Sequence, residues 1–229
     1  MKSAIITGAS GNLGQALVNE FLQNDWQVTG TVIPHDTVKI DIENIFFDTQ
    51  TVDLMDEEAA REFVENLMAK DGEIDALVCT VGGFAMGNIQ NTSTTDIEKQ
   101  WRLNFATTYN IVRPVFKQMM QQERGRIFLI GSKPGLDMRN GKGMIAYSLS
   151  KSLIFRLAEL LNEEAKGKNI VTSVVVPSTI DTPQNRQSMP KADFSTWVQP
   201  QDIAKVIFYH CTDAAAILRE PLIKVYHNA

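Results

Sequence analysis

The sequence predicts an α/β fold built on a doubly wound parallel sheet, in a single domain that spans residues 1–229. Short apolar runs alternate with stretches of helical spacing along the whole chain. Such apolar runs are typical of parallel strands that helices cover on both faces. Right-handed crossover connections between the strands then give a doubly wound sheet. With 44% hydrophobic and 21% charged residues, the 229-residue chain has an ordinary globular composition and length enough for a sizeable core.

The predicted strands are short runs rich in apolar and β-branched residues. In chain order they cover residues 4–7, 27–33, 45–48, 76–81, 126–130, 170–176 and 222–226. The second run is especially rich in Val and Thr, and the fourth ends at the pair Gly82 and Gly83. These runs supply the strands of the predicted sheet.

The predicted helices place apolar residues at the three- and four-residue spacing of one helical face. They cover residues 13–24, 56–70, 95–122, 146–166 and 200–213. Leu13, Leu17 and Phe21 share a face of the first helix, and Phe63 and Leu67 share a face of the second. Each helix therefore has a side that can cover the sheet.

The least regular stretch is residues 177–200, which contains Pro177, Pro183, Pro190 and Pro200. It is too polar and too rich in proline for a core element. Long loops are often functional, so one interpretation is a lid over a substrate site. The alternative is a surface connection without a special role.

Composition and charge exclude several classes of function. The formal net charge of −5 offers no electrostatic reason to bind nucleic acid or an anionic membrane. The cysteines, Cys79 and Cys211, lie in no Cys/His grouping with metal-ligand spacing, and Cys79 is expected to be a buried thiol. The N-terminal apolar run breaks too early for a signal peptide, and no run could cross a bilayer. We therefore expect a cytoplasmic protein without a metal.

A glycine-rich string, Thr7-Gly8-Ala9-Ser10-Gly11-Asn12-Leu13-Gly14, joins the first strand to the first helix. In that context Gly8 permits a tight turn, Gly11 admits a pyrophosphate, and Gly14 lets the helix approach the strand. The helix N-terminus offers free N–H groups to the phosphates. We interpret the string as a dinucleotide cradle of the Rossmann type, in preference to a plain strand-to-helix turn.

The end of the second strand leaves the choice of dinucleotide open. An acid there would bind the ribose of NAD, but this chain has Val32, followed by His35 and Asp36. No arginine is present to meet the 2′-phosphate of NADP, although His35 or Lys39 could do so and Asp36 could reach a ribose. Without an acid at the strand end, no negative charge repels the 2′-phosphate of NADP. The sequence therefore favours NADP over NAD.

Tyr147 and Lys151 stand one helical turn apart and therefore share a helix face. An ammonium beside a phenol favours the phenolate, so Lys151 is expected to lower the pKa of Tyr147. A tyrosine tuned in this way can exchange a proton with a carbonyl or alcohol oxygen. The spacing alone is common on ordinary helix surfaces, but the dinucleotide cradle favours the catalytic interpretation.

Together these motifs resemble the short-chain dehydrogenase/reductase family over nearly the whole chain. The resemblance implies a catalytic set of Asn104, Ser132, Tyr147 and Lys151. It also implies a cofactor site formed by Gly8, Ser10, Gly11, Asn12, Leu13, Gly14, Asp53, Leu54, Gly82, Tyr147, Lys151, Pro177 and Thr182. In that family Asn104 would support a proton-relay water, Ser132 would bind the reacting oxygen, and the substrate would be a small molecule.

Within the family, the pattern is most similar to dihydropteridine reductase. The glycine spacing, Val81-Gly82-Gly83 and the stretch from Asp181 to Phe194 carry this likeness. The resemblance implies a carbonyl, alcohol or imine substrate, with a pteridine among the candidates. Three departures leave the substrate open: Val32 replaces an aspartate, Ser132 replaces an alanine, and the spacing from Ser132 to Tyr147 is longer than is usual in the family.

The resemblance also implies a homodimer or homotetramer, with residues 95–122 and 146–166 as interface helices. Ile154, Phe155, Leu157, Leu160 and Leu161 cover more than one face of the second helix. Burial on two sides, in a core and in an interface, would explain this. The rival from another class is a non-catalytic dinucleotide-binding regulator, since a fold alone does not determine function; the tyrosine–lysine pair argues against it.

Overall fold

The computed structural model describes residues 1–227, whose strands form one seven-stranded parallel sheet. The strands are β1 (Ser3–Thr7), β2 (Gln27–Val32), β3 (Phe47–Thr51), β4 (Ala76–Cys79), β5 (Arg124–Ile130), β6 (Asn169–Pro177) and β7 (Leu222–Val225). Their order across the sheet is β3-β2-β1-β4-β5-β6-β7. The predicted doubly wound parallel sheet is therefore confirmed, and its strand order reverses between β1 and β4.

Helices cover both faces of the sheet. They are α1 (Asn12–Gln23), α2 (Glu57–Asp71), α3 (Thr94–Trp101), α4 (Thr107–Gln122), α5 (Lys133–Leu136), α6 (Ile145–Glu164), α7 (Pro183–Ser188) and α8 (Pro200–Tyr209). Ile5 and Ile6 are neighbours on β1, yet their side chains lie in two different cores, because successive strand residues point to opposite faces. Helices α1 and α8 cover one core, whereas α2, α4 and α6 cover the other. Among the described residues no helix has the length and apolarity to span a bilayer.

The third strand is displaced from its predicted position. It runs from Phe47 to Thr51 rather than over residues 45–48, and Val28 pairs with Phe47 while Val32 pairs with Thr51. Its last four residues are exposed at the sheet edge. The strand is therefore defined by backbone pairing and not by an apolar run, which is why the hydrophobic pattern misplaced it.

The long predicted helix over residues 95–122 is interrupted. Helix α3 ends at Trp101, a π-helical turn covers Arg102–Ala106, and α4 continues to Gln122. Such turns insert a residue into a helix and occur often at functional sites. This one contains Asn104, whose side chain is fully buried.

Two further predicted ends were too long. Strand β4 ends at Cys79 because Thr80 turns toward β1, where its N–H donates to the Thr7 hydroxyl (3.1 Å) and its hydroxyl donates to the Thr7 carbonyl (2.6 Å). Helix α8 ends at Tyr209 instead of continuing to residue 213. In both places the regular element ends at or soon after its last buried residue, which is Cys79 in β4 and Ile207 in α8.

The stretch 177–200 is more ordered than its composition predicts. It contains α7 and a 3₁₀ turn at Phe194–Thr196, and Trp197 and Val198 are buried. Neither α7 nor the 3₁₀ turn has a buried residue, but the far end of the stretch packs through Val198 into the core formed by α1 and α8.

Candidate functional site

A cavity of about 340 Å³ opens beyond the carboxyl ends of β1 and β4, where the strand order reverses. Ligands of open α/β sheets bind in this crevice. The predicted cofactor residues that line it are Gly8, Ser10, Gly11, Asn12, Leu13, Gly14, Asp53, Leu54, Gly82 and Thr182. The structure therefore gathers ten of the predicted residues around one cavity, whereas Pro177, Tyr147 and Lys151 do not line it.

The glycine-rich string leaves space that side chains would fill. Gly8 has a φ of +63°, and a Cβ on Gly14 would lie 2.1 Å from the Gly8 carbonyl oxygen. Gly11 precedes α1 and provides no side-chain cap, which leaves the first N–H groups of the helix for a ligand. The turn, the close approach and the free N–H groups fit a pyrophosphate.

Asp36, which the sequence offered as a possible ribose contact, and Gly30, which was given no role, belong to this region. Asp36 lines the cavity, and its carboxylate accepts hydrogen bonds from the Ser10 hydroxyl and from the Val38 N–H, which together hold its pKa below the usual range. A Cβ on Gly30 would lie 2.6 Å from that of Ala9. A glycine inside a strand is a sign of close backbone approach, and that signal was available in the sequence.

Asn104 holds the chain segment that follows β4. Its side-chain oxygen accepts from the Gly83 N–H (2.9 Å), and its amide nitrogen lies within hydrogen-bonding distance of the Gly83 carbonyl (3.0 Å), Gln100 (3.0 Å) and Ser150 (3.1 Å). A Cβ on Gly82 would lie 2.7 Å from the same side-chain oxygen. Asn104 thus clamps Gly83 from both sides, and this placement follows from the π-helical turn. The relay water assigned to Asn104 stays a prediction.

Lys151 lies behind the cavity wall. Its ammonium donates to the Ile130 carbonyl (2.8 Å), and only 5% of the residue is exposed. Burial lowers the pKa of Lys151 to about 8, because a low-dielectric surrounding disfavours the charged form. The position that a Cβ would take on Gly82 lies 3.2 Å from the ammonium, so the lysine adjoins the cavity at a residue without a side chain.

The pKa of Tyr147 moves in the direction opposite to the one the helix spacing predicts. Burial raises it, and a hydrogen bond with the Ser132 hydroxyl opposes that rise. The ammonium of Lys151 is directed to Ile130 instead of the phenol. The expected lowering by Lys151 is therefore wrong for this arrangement, and Ser132 is the group that favours the phenolate.

Ser132 lies beside Tyr147 in spite of the long spacing between them. The extra residues fold into α5 and a 3₁₀ turn at Met138–Asn140. Ser132 caps α5 by accepting a hydrogen bond from the Gly135 N–H (3.1 Å). The longer loop is accommodated at the surface, so the serine keeps its place next to the phenol.

An exposed aromatic side chain packs against Tyr147. The Phe84 ring lies edge-on to Tyr147, with 5.0 Å between ring centroids, and is 60% exposed. The backbone on either side is held: Asn104 binds Gly83, and the Gly87 N–H donates to the Gly143 carbonyl (2.7 Å). A large apolar ring held in solvent beside a phenol is suited to contact with a ligand.

Comparison with known proteins agrees with this geometry. The short chain dehydrogenase family model matches residues 2–193. The acetoacetyl-CoA reductase of Acinetobacter sp. (strain RA3849) is 29% identical over 80% of this chain and 75% of its own length. The dihydropteridine reductase of Dictyostelium discoideum is 26% identical over 93% of this chain and 89% of its own length.

Solved structures share the fold. The structure described as ElxO with NADP bound superposes with a TM-score of 0.88 at 24% identity, covering 98% of this chain and 96% of that one. At this identity the likeness concerns the fold.

Alanine substitutions in the glycine-rich string can separate the effect of close packing on stability from the effect of losing a glycine. Gly14→Ala places a methyl group 2.1 Å from the Gly8 carbonyl oxygen, and we expect the free energy of unfolding to fall by about 1–3 kcal/mol. Gly11→Ala is the matched control, because its methyl group would lie 3.3 Å from the same oxygen; its stability should stay within about 1 kcal/mol of the wild type. Urea denaturation of both variants measures the difference, and equal midpoints would contradict the packing argument.

Proposed function

Because this chain belongs to the short-chain dehydrogenase family and is an NAD(P)-dependent oxidoreductase, we propose that it transfers hydride between a nicotinamide and a small carbonyl, alcohol or imine substrate, with Tyr147 exchanging the proton. The hydride chemistry is supplied by the bound cofactor. The observation that carries the proposal is the position of Tyr147. Its ring packs against Phe84, two residues after the cavity residue Gly82, and the Ser132 hydroxyl lies close enough to oppose the rise in its pKa.

The cofactor would lie along the described cavity. The residues proposed to hold it are Gly8, Ser10, Gly11, Asn12, Leu13, Gly14, Asp53, Leu54, Gly82, Tyr147, Lys151, Pro177 and Thr182. The free N–H groups of α1 suit the pyrophosphate. The buried ammonium of Lys151 adjoins Gly82 and would bind the nicotinamide ribose there.

Four side chains would act on the substrate. Tyr147 would donate the proton to the developing oxyanion or amine, and Ser132 would orient the reacting oxygen. Asn104 would order a relay water and keep Gly83 in place. The Ser132 hydroxyl lies close enough to the phenol to oppose the rise in its pKa, and this proximity supports the division of roles.

A pteridine is the substrate we favour among carbonyl and imine compounds. The exposed Phe84 ring beside Tyr147 offers a flat conjugated molecule an apolar contact next to the proton donor. The stretch from Asp181 to Phe194 resembles dihydropteridine reductase, and the Dictyostelium enzyme of that name is a relative over most of the chain. The position of the ring and the sequence likeness support the pteridine independently.

Turnover with quinonoid dihydropterin and with a panel of carbonyl compounds tests the proposal. Tyr147→Phe should lower kcat by about 10²-fold or more, since a positioned general acid contributes about 10²–10⁴-fold. Tyr209→Phe is the matched control, because Tyr209 is a half-exposed tyrosine on α8 and its loss should leave kcat unchanged. Unchanged turnover in Tyr147→Phe would refute the assignment, and nucleotide binding without turnover on any substrate would favour the regulator.

We also propose a preference for NADP over NAD. Val32 lines the cavity at the end of β2 and brings no charge against a 2′-phosphate. Asp36 is the acid nearest along the chain, and hydrogen bonds from Ser10 and Val38 already engage its carboxylate. The neutral strand end therefore supports NADP, while Asp36 is the residue that could reverse the preference.

The ratio of kcat/KM for NADPH to that for NADH tests this preference. Val32→Asp should lower the ratio by about tenfold or more, because a tenfold change needs only about 1.4 kcal/mol and the new acid meets a doubly charged phosphate. Asp36→Asn should leave a wild-type preference for NADPH in place. A wild-type preference for NADH that Asp36→Asn abolishes would contradict the proposal and assign the ribose to Asp36.

We propose that the chain assembles as a homodimer or homotetramer through α4 and α6. Of the five apolar residues noted on α6, Ile154, Phe155, Leu157 and Leu161 are buried within this chain, and only Leu160 is exposed. Leu149 and Leu153 are exposed on the same helix, as are Trp101 and Tyr109 on α3 and α4. This apolar face supports burial against a second copy.

Sedimentation velocity tests the assembly. Leu153→Lys combined with Leu160→Lys should convert the oligomer to a monomer, because charged groups would be buried without partners. Ile217→Lys is the control, since Ile217 is 87% exposed outside these helices, and its variant should keep the wild-type mass. An oligomer that survives the double substitution would show that another face holds it together.

A further inference from the structure

The carboxylate of Asp181 is covered by its hydrogen-bond donors. Its side chain is 6% exposed, although the neighbouring residues of α7 face solvent. An acid is rarely enclosed unless donors surround it. Its partners therefore indicate what the segment is built to hold.

Three donors from two elements converge on this carboxylate. Arg186 on α7 donates through Nε (2.6 Å) and through a terminal nitrogen (2.7 Å), which is a two-pronged contact. Gln199, which precedes α8, donates to the same carboxylate (2.7 Å). These bonds hold the pKa of Asp181 at about 2, so the group stays ionised near neutral pH. We call Asp181, Arg186 and Gln199 the lid anchor.

The lid anchor stands between two residues of the cavity wall. Ile180 and Thr182 both line the cavity, and Asp181 is the residue that joins them. The Asn185 side chain donates to the Ile180 carbonyl (2.8 Å), and the Thr182 hydroxyl accepts from the Asn185 N–H (3.2 Å). We call residues 180–182 the arm. These hydrogen bonds connect the arm to α7.

The other side of the arm is tied to the core. The Asp181 N–H donates to the Val198 carbonyl (2.8 Å), and the Val198 N–H donates to the Thr179 carbonyl (2.9 Å). Val198 is 1% exposed and belongs to the core formed by α1 and α8. The arm is therefore connected to a rigid part of the molecule through both its backbone and the Asp181 carboxylate.

A direct hydrogen bond also joins this segment to the glycine-rich string, but it is weaker than the bonds of Asp181. The Asn12 side chain donates to Gln184 (3.0 Å), but both groups are exposed. Exposed polar pairs contribute little, because water competes for the same groups. The Asp181 carboxylate is the better candidate for holding the arm against the cavity, because its bonds to Arg186 are two-pronged and charge-assisted.

We propose that the lid anchor positions residues 180–182 for nucleotide binding, which makes Asp181 a positioning residue for cofactor affinity. This inference rests on the proposed function, since it takes the cavity to be the cofactor site. The anchor touches neither Tyr147 nor Ser132 in the described structure. Loss of the anchor therefore weakens binding and leaves the proton transfer intact.

Direct titration with NADPH and NADH, followed by nucleotide fluorescence, tests the inference without requiring turnover. Asp181→Asn removes the charge and keeps the size; we expect the Kd of the preferred nucleotide to rise by about tenfold, equivalent to about 1.4 kcal/mol. KM for the nucleotide should rise with it, while kcat at saturation and its pH profile stay as in the wild type. A purely structural role would instead lower the urea midpoint and leave the Kd unchanged.

Asp193→Asn is the matched control. Asp193 lies in the same segment, and its side chain bonds only Ser195 nearby, so its loss should leave the Kd within about twofold of the wild type. Arg186→Lys serves as a second variant if Asp181→Asn fails to fold. Lysine keeps the charge but cannot reproduce the two-pronged contact, so an intermediate rise in Kd is expected.

The outcomes distinguish the inference from the function on which it rests. A wild-type chain that binds nucleotide as tightly as Asp181→Asn and Arg186→Lys would overturn the lid anchor alone. A wild-type chain that binds neither nucleotide would overturn the proposed function and the anchor together. A selective rise in Kd for the anchor variants, without a change in Asp193→Asn, would establish it.

Discussion

The two halves of the candidate site are joined by the hydrogen bonds between Asn104 and the backbone of Gly83. Gly82 forms part of the cavity, and Phe84 lies against Tyr147. Asn104 is fully buried and binds both backbone polar groups of Gly83, the residue between Gly82 and Phe84, so it links the cavity wall to the side that carries Tyr147. The π-helical turn is the local distortion that brings this side chain to the strand end.

The second constraint is electrostatic. Lys151 is enclosed, with the Ile130 carbonyl as its hydrogen-bond acceptor, and burial brings its pKa to about 8. Folding therefore opposes protonation of this group: the cost of its burial is full below about pH 8 and falls as the pH rises toward the ordinary lysine pKa of 10.5. A glycine at position 82 keeps the ammonium close to the cavity, since a side chain there would meet both the lysine and Asn104.

The segment over residues 177–200 shows how a polar sequence can still be well anchored. Its near end contributes Ile180 and Thr182 to the cavity, and its far end buries Trp197 and Val198. Between them, charge-assisted hydrogen bonds replace the apolar packing that the sequence lacks. Rigidity near the cavity thus depends on polar contacts that composition does not reveal.

Local sequence patterns were sufficient to predict much of this fold. The glycine-rich turn, the buried strands and the first helix depend on turn residues and on periodicity, which are properties of neighbouring residues. The doubly wound sheet follows from their alternation.

Contacts between residues far apart in the chain decided the rest. The edge strand β3 is positioned by pairing with β2, four of the five apolar residues noted on α6 pack within the chain, and Ser132 reaches Tyr147 because the intervening loop folds away. The pKa of Tyr147 rises through burial, which helix spacing cannot convey. The sequence by itself determined the fold class and the cradle because their causes are local. Only the tertiary structure decided which groups share an acceptor, a cavity or a low-dielectric surrounding, because those properties belong to residues that meet in space.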